Sequence, residues 1–278
     1  MGTRMSALIM GALPDLRFEP SPKRIRAVLG GDTWADTVAG MVVWEPRRIV
    51  PGYAIPEADL DAEPIPAGPA SAEAEEHPVQ VHAGGPPVLD PRTPFSVRTT
   101  QGEPLSLRRG SVVLDGAGFR PADPDLAGYV ILDWSAFDQW FEEDDEVFAH
   151  PRDPFKRIDV RSSSRHVVIS VDGVVLAETT RARLLFETHL PTRTYVPRSD
   201  VRLQLLEPSE TRSWCAYKGH ARYWSARIGG ELHRNLAWSY EDPLSDGVEV
   251  KDHITFFDEK VDVTVDSTPV PRPVSPWS

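Results

Sequence analysis

A pattern of short apolar runs around glycine turns occurs twice in this chain, 142 residues apart. The first instance reads IRAVL, the turn Gly30-Gly31-Asp32, TWADT and then MVVWE at residues 41–45. The second reads HVVIS, the turn Val171-Asp172-Gly173, VVLAET and then RLLFE. Strand formers on both sides of a tight glycine turn mark a β-hairpin. At this spacing Gly31 matches Gly173, Ala35 matches Ala177, Asp36 matches Glu178, Thr37 matches Thr179, Glu45 matches Glu187 and Tyr53 matches Tyr195. A recurrence of this length implies a duplicated domain.

The expected class is therefore all-β: two duplicated small domains of curved sheets, with one or two short helices. Residues 1–160 form the first copy, 161–270 the second, and 271–278 a disordered tail. Strands are expected at SVVLDG (111–116) and YVILDW (129–134). Ser135, with Asp138 and the spacing of Phe137, Trp140 and Phe141, predicts a capped helix. EVFAH and FKRIDVR then close the first copy, as HITFF and KVDVTVD close the second. Trp134-Ser135 lines up with Trp238-Ser239. Residues 61–95 hold eight prolines and three glycines among small and acidic residues, which predicts an insertion with little regular structure.

The chain has 278 residues and a net charge of −12. An acidic whole argues against general nucleic-acid binding. Residues 165–240 nonetheless hold 11 Lys/Arg and 7 Asp/Glu, a local +4 that leaves −16 elsewhere and suits an anionic ligand. No apolar run approaches the roughly 18 residues of a membrane span, and the start lacks a secretory leader, so the expected location is cytoplasmic with no membrane partner. A single cysteine excludes an internal disulfide framework and a Cys-rich zinc site.

Chemistry-bearing residues concentrate in residues 211–243, TRSWCAYKGHARYWSARIGGELHRNLAWSYEDP. Trp224, Trp238 and Tyr240 fall on two arms of a hairpin turned by Gly229-Gly230, where they can form an aromatic wall. Lys218, Arg198 and Tyr195 would supply its polar ends. Cys215 reads either as a small buried residue or as a thiol activated by Lys218 or His220, with Glu207 or Asp200 orienting a base. His220 and His233 sit on opposite arms, and His82, His150 and His253 are scattered, so neither a metal nor a cofactor is expected.

YVPRSDV (195–201), LLEPSETRSWCAYKGHARYWS (205–225), LAWSYEDPL and HITFFDEKVDV resemble the bacterial domain of unknown function 427 family. The resemblance spans residues 165–270 and carries Cys215, Tyr217, Lys218 and Gly219, with Ala216 in place of the family's usual proline. The first copy matches only in its opening strands and closing segment and lacks the cysteine loop, which marks it as degenerate. The resemblance implies a compact β-domain, with the β-tent folds of cereblon-like and methionine sulfoxide reductase-like proteins as the fold analogy. The family is also labelled nucleotidyltransferase-like. Here Gly110-Ser111 and Asp123-Pro124-Asp125 are only faintly similar to that pattern, because the aspartates flank a proline in a loop.

The expected function is small-molecule binding by the second copy, through Tyr195, Arg198, Asp200, Glu207, Tyr217, Trp224, Trp238 and Tyr240 around Cys215 and Lys218. An enzyme using Cys215 or Lys218 in transfer or hydrolysis, and a non-catalytic scaffold, remain the alternatives. The oligomeric state is open.

Overall fold

Two-residue turns set the first hairpin of each half. Gly30-Gly31 (φ 61° and 85°) and Asp172-Gly173 (φ 49° and 77°) take the paired left-handed conformations that match the twist of the flanking strands. The computed structural model describes residues 2, 4–68, 76, 78–81 and 85–277. It divides into two units, one of Met1–Val79 with Pro86–Asp153 and one of Gln80–Gly85 with Pro154–Ser278.

Unit 1 opens with a helix α1 (Met5–Gly11) and continues with β1 (Arg17–Pro20), β2 (Ile25–Leu29), β3 (Asp32–Thr37), β4 (Met41–Trp44), β5 (Gly52–Pro56) and β6 (Glu63–Pro66). β7 (Pro78–Val79) and β8 (Val88–Leu89) pair with each other, and β9 (Gly102–Arg109), β10 (Val112–Pro121), β11 (Tyr129–Leu132), β12 (Gln139–Glu142) and β13 (Asp145–Val147) follow. Its seven-stranded antiparallel sheet runs β1-β4-β5-β11-β10-β9-β6, and its four-stranded sheet runs β13-β12-β2-β3.

Unit 2 comprises β14 (Ile158–Ser163), β15 (Val167–Val171), β16 (Val174–Thr179), β17 (Ala182–Glu187), β18 (Arg193–Pro197), β19 (Leu206–Cys215), β20 (Gly219–Ile228), β21 (Glu231–Tyr240), β22 (His253–Phe256), β23 (Asp262–Val265) and β24 (Thr268–Val270). Its sheets run β14-β17-β18-β22-β21-β20-β19 and β16-β15-β23-β24, the same order as in unit 1 when β7 and β8 are set aside.

Local details coincide as well. Thr37 Oγ1 donates to Asp59 at 2.6 Å, and Thr179 Oγ1 to Asp200 at 2.6 Å. The ladders β9–β10 and β20–β21 slip register, between Leu114 and Gly118 in one and between Trp224 and Ala226 in the other. At both slips a buried serine accepts from a backbone N–H on the bulged strand, Ser106 from Gly116 and Ser225 from Asn235, each at 3.1 Å. Gly116 (φ 65°) and Asn235 (φ 50°) take the left-handed conformation that such bulges require.

Each seven-stranded sheet is covered on both faces. Its inner face packs on the four-stranded sheet through a large cluster that includes Ile25, Trp34, Ile55 and Trp140 in unit 1, and Ile169, Val196, Ile254 and Phe256 in unit 2. A smaller cluster lies on the outer face: Val43, Ala54, Phe119 and Ile131 in unit 1; Leu185, Tyr195, Trp238, Tyr240 and Phe257 in unit 2.

The structure departs from several sequence expectations. The helix expected from Ser135 is a single 3₁₀ turn, Trp134–Ala136, which Asp133 caps through the Ser135 N–H. Strand β12 follows at once, because Trp140 is needed in the core and pairs opposite Ala27. FKRIDVR opens unit 2 instead of closing unit 1, since β14 pairs along its length with β17. The strand positions of β11 and β12 are those of β22 and β23, so Trp238 corresponds to Phe119 and not to Trp134.

The ladders also slip the alignment by one residue at β5 and β18, which sets Tyr195 opposite Ala54's place in the sheet while Tyr53 packs on the other face. Within residues 61–95, β6 pairs with β9 and buried Val88 and Leu89 lie in β8; residues 69–75, 77 and 82–84, including His82, lie outside the described residues. The tail packs on unit 2 as far as Trp277. Ser275 is buried and bonds Glu259, and Trp277 packs on Phe257.

Candidate functional site

The outer face of the unit 2 sheet gathers the polar residues. Glu187 ends β17, Tyr195 lies mid-β18, Trp238 and Tyr240 alternate on β21, and the short turn between β19 and β20 delivers Cys215, Tyr217 and Lys218. Gly219 makes the turn possible with φ 90°. Above them the 3₁₀ segment Ser245–Val250 closes in: Leu244 N–H bonds the Lys218 carbonyl at 3.2 Å, and Val250 is fully buried in the aromatic cluster.

At the centre is a buried ion cluster. Lys218 Nζ lies 2.6 Å from Glu187 Oε2, and Lys156 Nζ lies 3.3 Å from Glu187 Oε1. Lys156 also donates to the Thr188 carbonyl at 2.8 Å. Burial alone would raise the Glu187 pKa, but the two ammonium groups outweigh it and hold the carboxyl below its ordinary value. Burial alone would lower that of Lys218, but Cys215, Glu187 and Tyr195 outweigh it and raise it. One carboxylate thus faces two cations, and the cluster carries a surplus positive charge.

The hydroxyls around it stay protonated. Burial is the chief cause that raises the pKa of Tyr195, partly offset by Lys218, and it likewise raises that of Tyr240. Thr255, fully buried on β22, lies directly across from Tyr195 on one side and Trp238 on the other. Its hydroxyl has no partner among the described residues. Trp238 packs on Phe257 with ring centroids 4.4 Å apart and planes tilted by 46°, and Arg193 lies over Trp238, Phe257 and Trp277 while making a two-pronged pair with Glu259. Next to it, burial pushes the Asp258 carboxyl up to about 7.

Of the residues singled out from sequence, the structure brings together Cys215, Lys218, Tyr195, Trp238 and Tyr240, with Tyr217 buried in the same turn. Five others lie elsewhere. Trp224 pairs across from Ala237, so it faces the inner core while Trp238 faces out, and Arg198 covers it at 5.0 Å. Asp200 is held by Thr179 and Arg181, and Glu207 pairs with Arg227 at the surface. His220 packs against its cross-strand neighbour Trp214, which alternation puts on the face opposite Cys215 and Ala221.

Glu187, Lys156 and Thr255 were not identified from sequence as site residues. The match of Glu45 to Glu187 was the available signal. In unit 1 Glu45 is buried beside two cations, Arg98 at 2.8 Å and Arg48 at 3.6 Å. Arg98 comes from the connection between β6 and β9, which holds the place in the strand order that the Lys218 turn holds between β19 and β20. Unit 1 therefore has a segment at the same place in its strand order, longer and without a cysteine.

Gly110-Ser111 and Asp123–Asp125 lie beyond opposite ends of the ten-residue β10, roughly 33 Å of strand apart, and share no site. Among the described residues Asp172, Glu231 and His233 offer ligand atoms within 4.8 Å of one another, at hairpin tips remote from Lys218. His233 Nε2 lies 3.2 Å from Asp172 Oδ2 and has no hydrogen-bond partner among the described residues. No helix of the described residues is long and apolar enough to cross a membrane.

A comparison with curated proteins finds no match. Residues 159–267, nearly the whole of unit 2, match the family model described as a domain of unknown function, DUF427.

Proposed function

We propose that unit 2 binds a small anionic molecule at the Lys218–Glu187–Lys156 cluster. The observation that carries this reading is the charge imbalance: buried Lys218 and half-buried Lys156 share the one buried carboxylate of Glu187, so the pair of ammonium groups is only partly compensated. Buried Tyr195, Tyr240, Trp238 and Phe257 pack beneath the cluster and hold its position. Cys215 is half-buried and Lys156 lies at the rim, which supports entry from that side.

Thermal-shift titration with carboxylate and phosphate metabolites tests this. A ligand at 100 times its Kd adds about 2.7 kcal/mol of stability. The expected shift is lost in Lys156→Met, which removes the surplus charge and leaves the Lys218–Glu187 pair intact. A ligand shift that Lys156→Met leaves unchanged overturns the reading.

A thiol enzyme is the second reading, favoured by the position of Cys215 beside Lys218. Cys215→Ser separates the two, because binding survives it and thiol chemistry does not. Lys218 itself is a poor covalent nucleophile, since its pKa is raised and the amine stays protonated. The shared strand order, bulge serines and buried glutamates support a tandem duplication, and the single free thiol supports a cytoplasmic setting.

A further inference from the structure

Two hairpin tips of unit 2, one from each of its sheets, come together at one end of its core. β15 and β16 turn at Asp172-Gly173, and β20 and β21 turn at Gly229-Gly230. On β21, Glu231 pairs opposite Ile228 and His233 opposite Ala226. Ile228 and Ala226 are buried in the inner cluster, and directly opposed residues share a face, so Glu231 and His233 lie on the side of the four-stranded sheet. Asp172 comes from that sheet. The three residues each bring a ligand atom within 4.8 Å of the other two.

The members of this group do not satisfy one another. His233 Nε2 is shut off from water without a hydrogen-bond partner among the described residues, and its 3.2 Å contact with Asp172 Oδ2 is an ion pair only when the ring is protonated. Among the described residues neither carboxylate has a lysine or arginine partner. Unit 1 joins the same two tips differently. Gly30, Val112 and Leu114 stand where Asp172, Glu231 and His233 stand, and none of them can bind a cation through its side chain. There Arg109, at the place of Ile228, reaches across to Asp32 at 3.0 Å. Where unit 1 has a direct ion pair, unit 2 therefore has two carboxylates and an imidazole, a set that needs a cation to hold it together.

We propose that Asp172, Glu231 and His233 form a site for a divalent transition-metal ion of the Zn²⁺ class, which clamps the two sheets of unit 2 at their hairpin tips. One imidazole nitrogen with two carboxylate oxygens is a donor set that suits Zn²⁺, whereas Mg²⁺ and Ca²⁺ prefer oxygen alone. Two ligand atoms on a tetrahedral ion with bonds of about 2.0–2.1 Å lie about 3.3 Å apart, close to the 3.2 Å between His233 Nε2 and Asp172 Oδ2. Asp172 and Glu231 are both exposed, so rotation of their carboxylates closes the remaining gap. The ion sits between the ligand atoms and needs no cavity behind the ring nitrogen. Water fills the fourth position. The site is independent of the anion reading of unit 2.

The test is isothermal titration of the chelator-treated full chain with Zn²⁺ and separately with Mg²⁺, together with amide exchange in the presence and absence of Zn²⁺. A saturable Zn²⁺ site is expected, with Mg²⁺ much weaker. Even a group that only supports a metal ligand is worth about 10–100-fold in affinity, so Asp172→Asn, Glu231→Gln and His233→Gln should each weaken Zn²⁺ by at least about tenfold. Asp172→Asn keeps the turn, because asparagine also adopts the left-handed φ of 49° found there. His220→Gln and His253→Gln, at histidines elsewhere in unit 2, should leave the affinity as it is. Zn²⁺ should also slow exchange at the tip pairs Val171–Val174 and Ile228–Glu231. The proposal is overturned if no saturable Zn²⁺ site appears, if Mg²⁺ binds as tightly, if any of the three ligand variants binds as the parent does, or if Zn²⁺ leaves exchange at both tips unchanged.

Discussion

At the scale of single residues, Glu187 decides more than any aromatic neighbour. Removing the carboxylate that compensates buried Lys218 and half-buried Lys156 leaves both uncompensated, and breaking a buried pair such as Lys218–Glu187 costs about 3–5 kcal/mol. Glu187→Gln is expected to lower the denaturant midpoint of unit 2 accordingly. Lys156→Met should cost much less, because it leaves the shorter pair in place; equal losses would refute the assignment of Lys218 as the principal partner. The pH dependence follows from the directions of the shifts. Glu187 is held below its unfolded value, so its contribution is present above about pH 4.5 and fades as pH falls through the folded value. Lys218 is raised, so its contribution is present below about pH 10.5 and fades as pH climbs past its folded value. Asp258 behaves oppositely to Glu187: its pKa is up at about 7, so the neutral form is the favoured one, and stability present below pH 4 is lost between pH 4 and 7. Asp258→Asn should therefore stabilise the protein by about 1–3 kcal/mol at pH 8 and leave it nearly unchanged at pH 4, as chemical denaturation at the two values would read. An equal effect at both would show that Asp258 is charged throughout.

At the scale of elements, the serines at the two bulges show why part of the fold could be read from sequence and part could not. The first hairpins were legible because two-residue turns demand glycine, and a required glycine keeps its spacing to the strands around it. The bulges were not. Gly116 corresponds to Asn235 and Leu114 to His233, so residue identity changes while the backbone need is the same. The segment between β6 and β9 also lengthens unit 1, so a constant offset fails beyond it. The basic side chain on the buried glutamate stayed hidden for the same reason, being Lys218 from a three-residue turn in one unit and Arg98 from a long connection in the other. The aromatic wall was half legible, since alternation along β21 joins Trp238 to Tyr240, but the partner strand's register alone decides that Tyr223 and not Trp224 lies beside them. Because each serine hydroxyl meets an N–H that would otherwise be buried without a partner, Ser106→Ala and Ser225→Ala should each cost about 1–3 kcal/mol. Hydrogen exchange at Gly116 and Asn235 respectively would report the loss. Faster exchange confined to the strand pair that carries the substitution is the expected pattern, and unchanged exchange at both positions would refute the role given to the serines.

At the scale of the whole molecule, each unit has its own core between its own two sheets, and the large clusters share no residue. All-β order with strands at these places was legible because the apolar runs are short and punctuated, whereas the division at residue 153 was not: the strand that opens unit 2 looks in sequence like one more closing strand, and only its pairing with β17 assigns it. Two cores predict two separable responses. Ile55 on β5 and Ile254 on β22 are both fully buried, one in each cluster, and truncation of such a side chain to alanine costs about 2–5 kcal/mol. In a chain whose units fold on their own cores, that cost falls on one unit at a time. Ile55→Ala should speed amide exchange along β2, β5 and β12 while leaving β15, β18 and β21 protected, and Ile254→Ala should do the reverse. If either substitution instead lowered protection equally across all six strands, the two cores would form one cooperative unit. The two units would then share a single folding equilibrium, and whatever stabilises one would protect both.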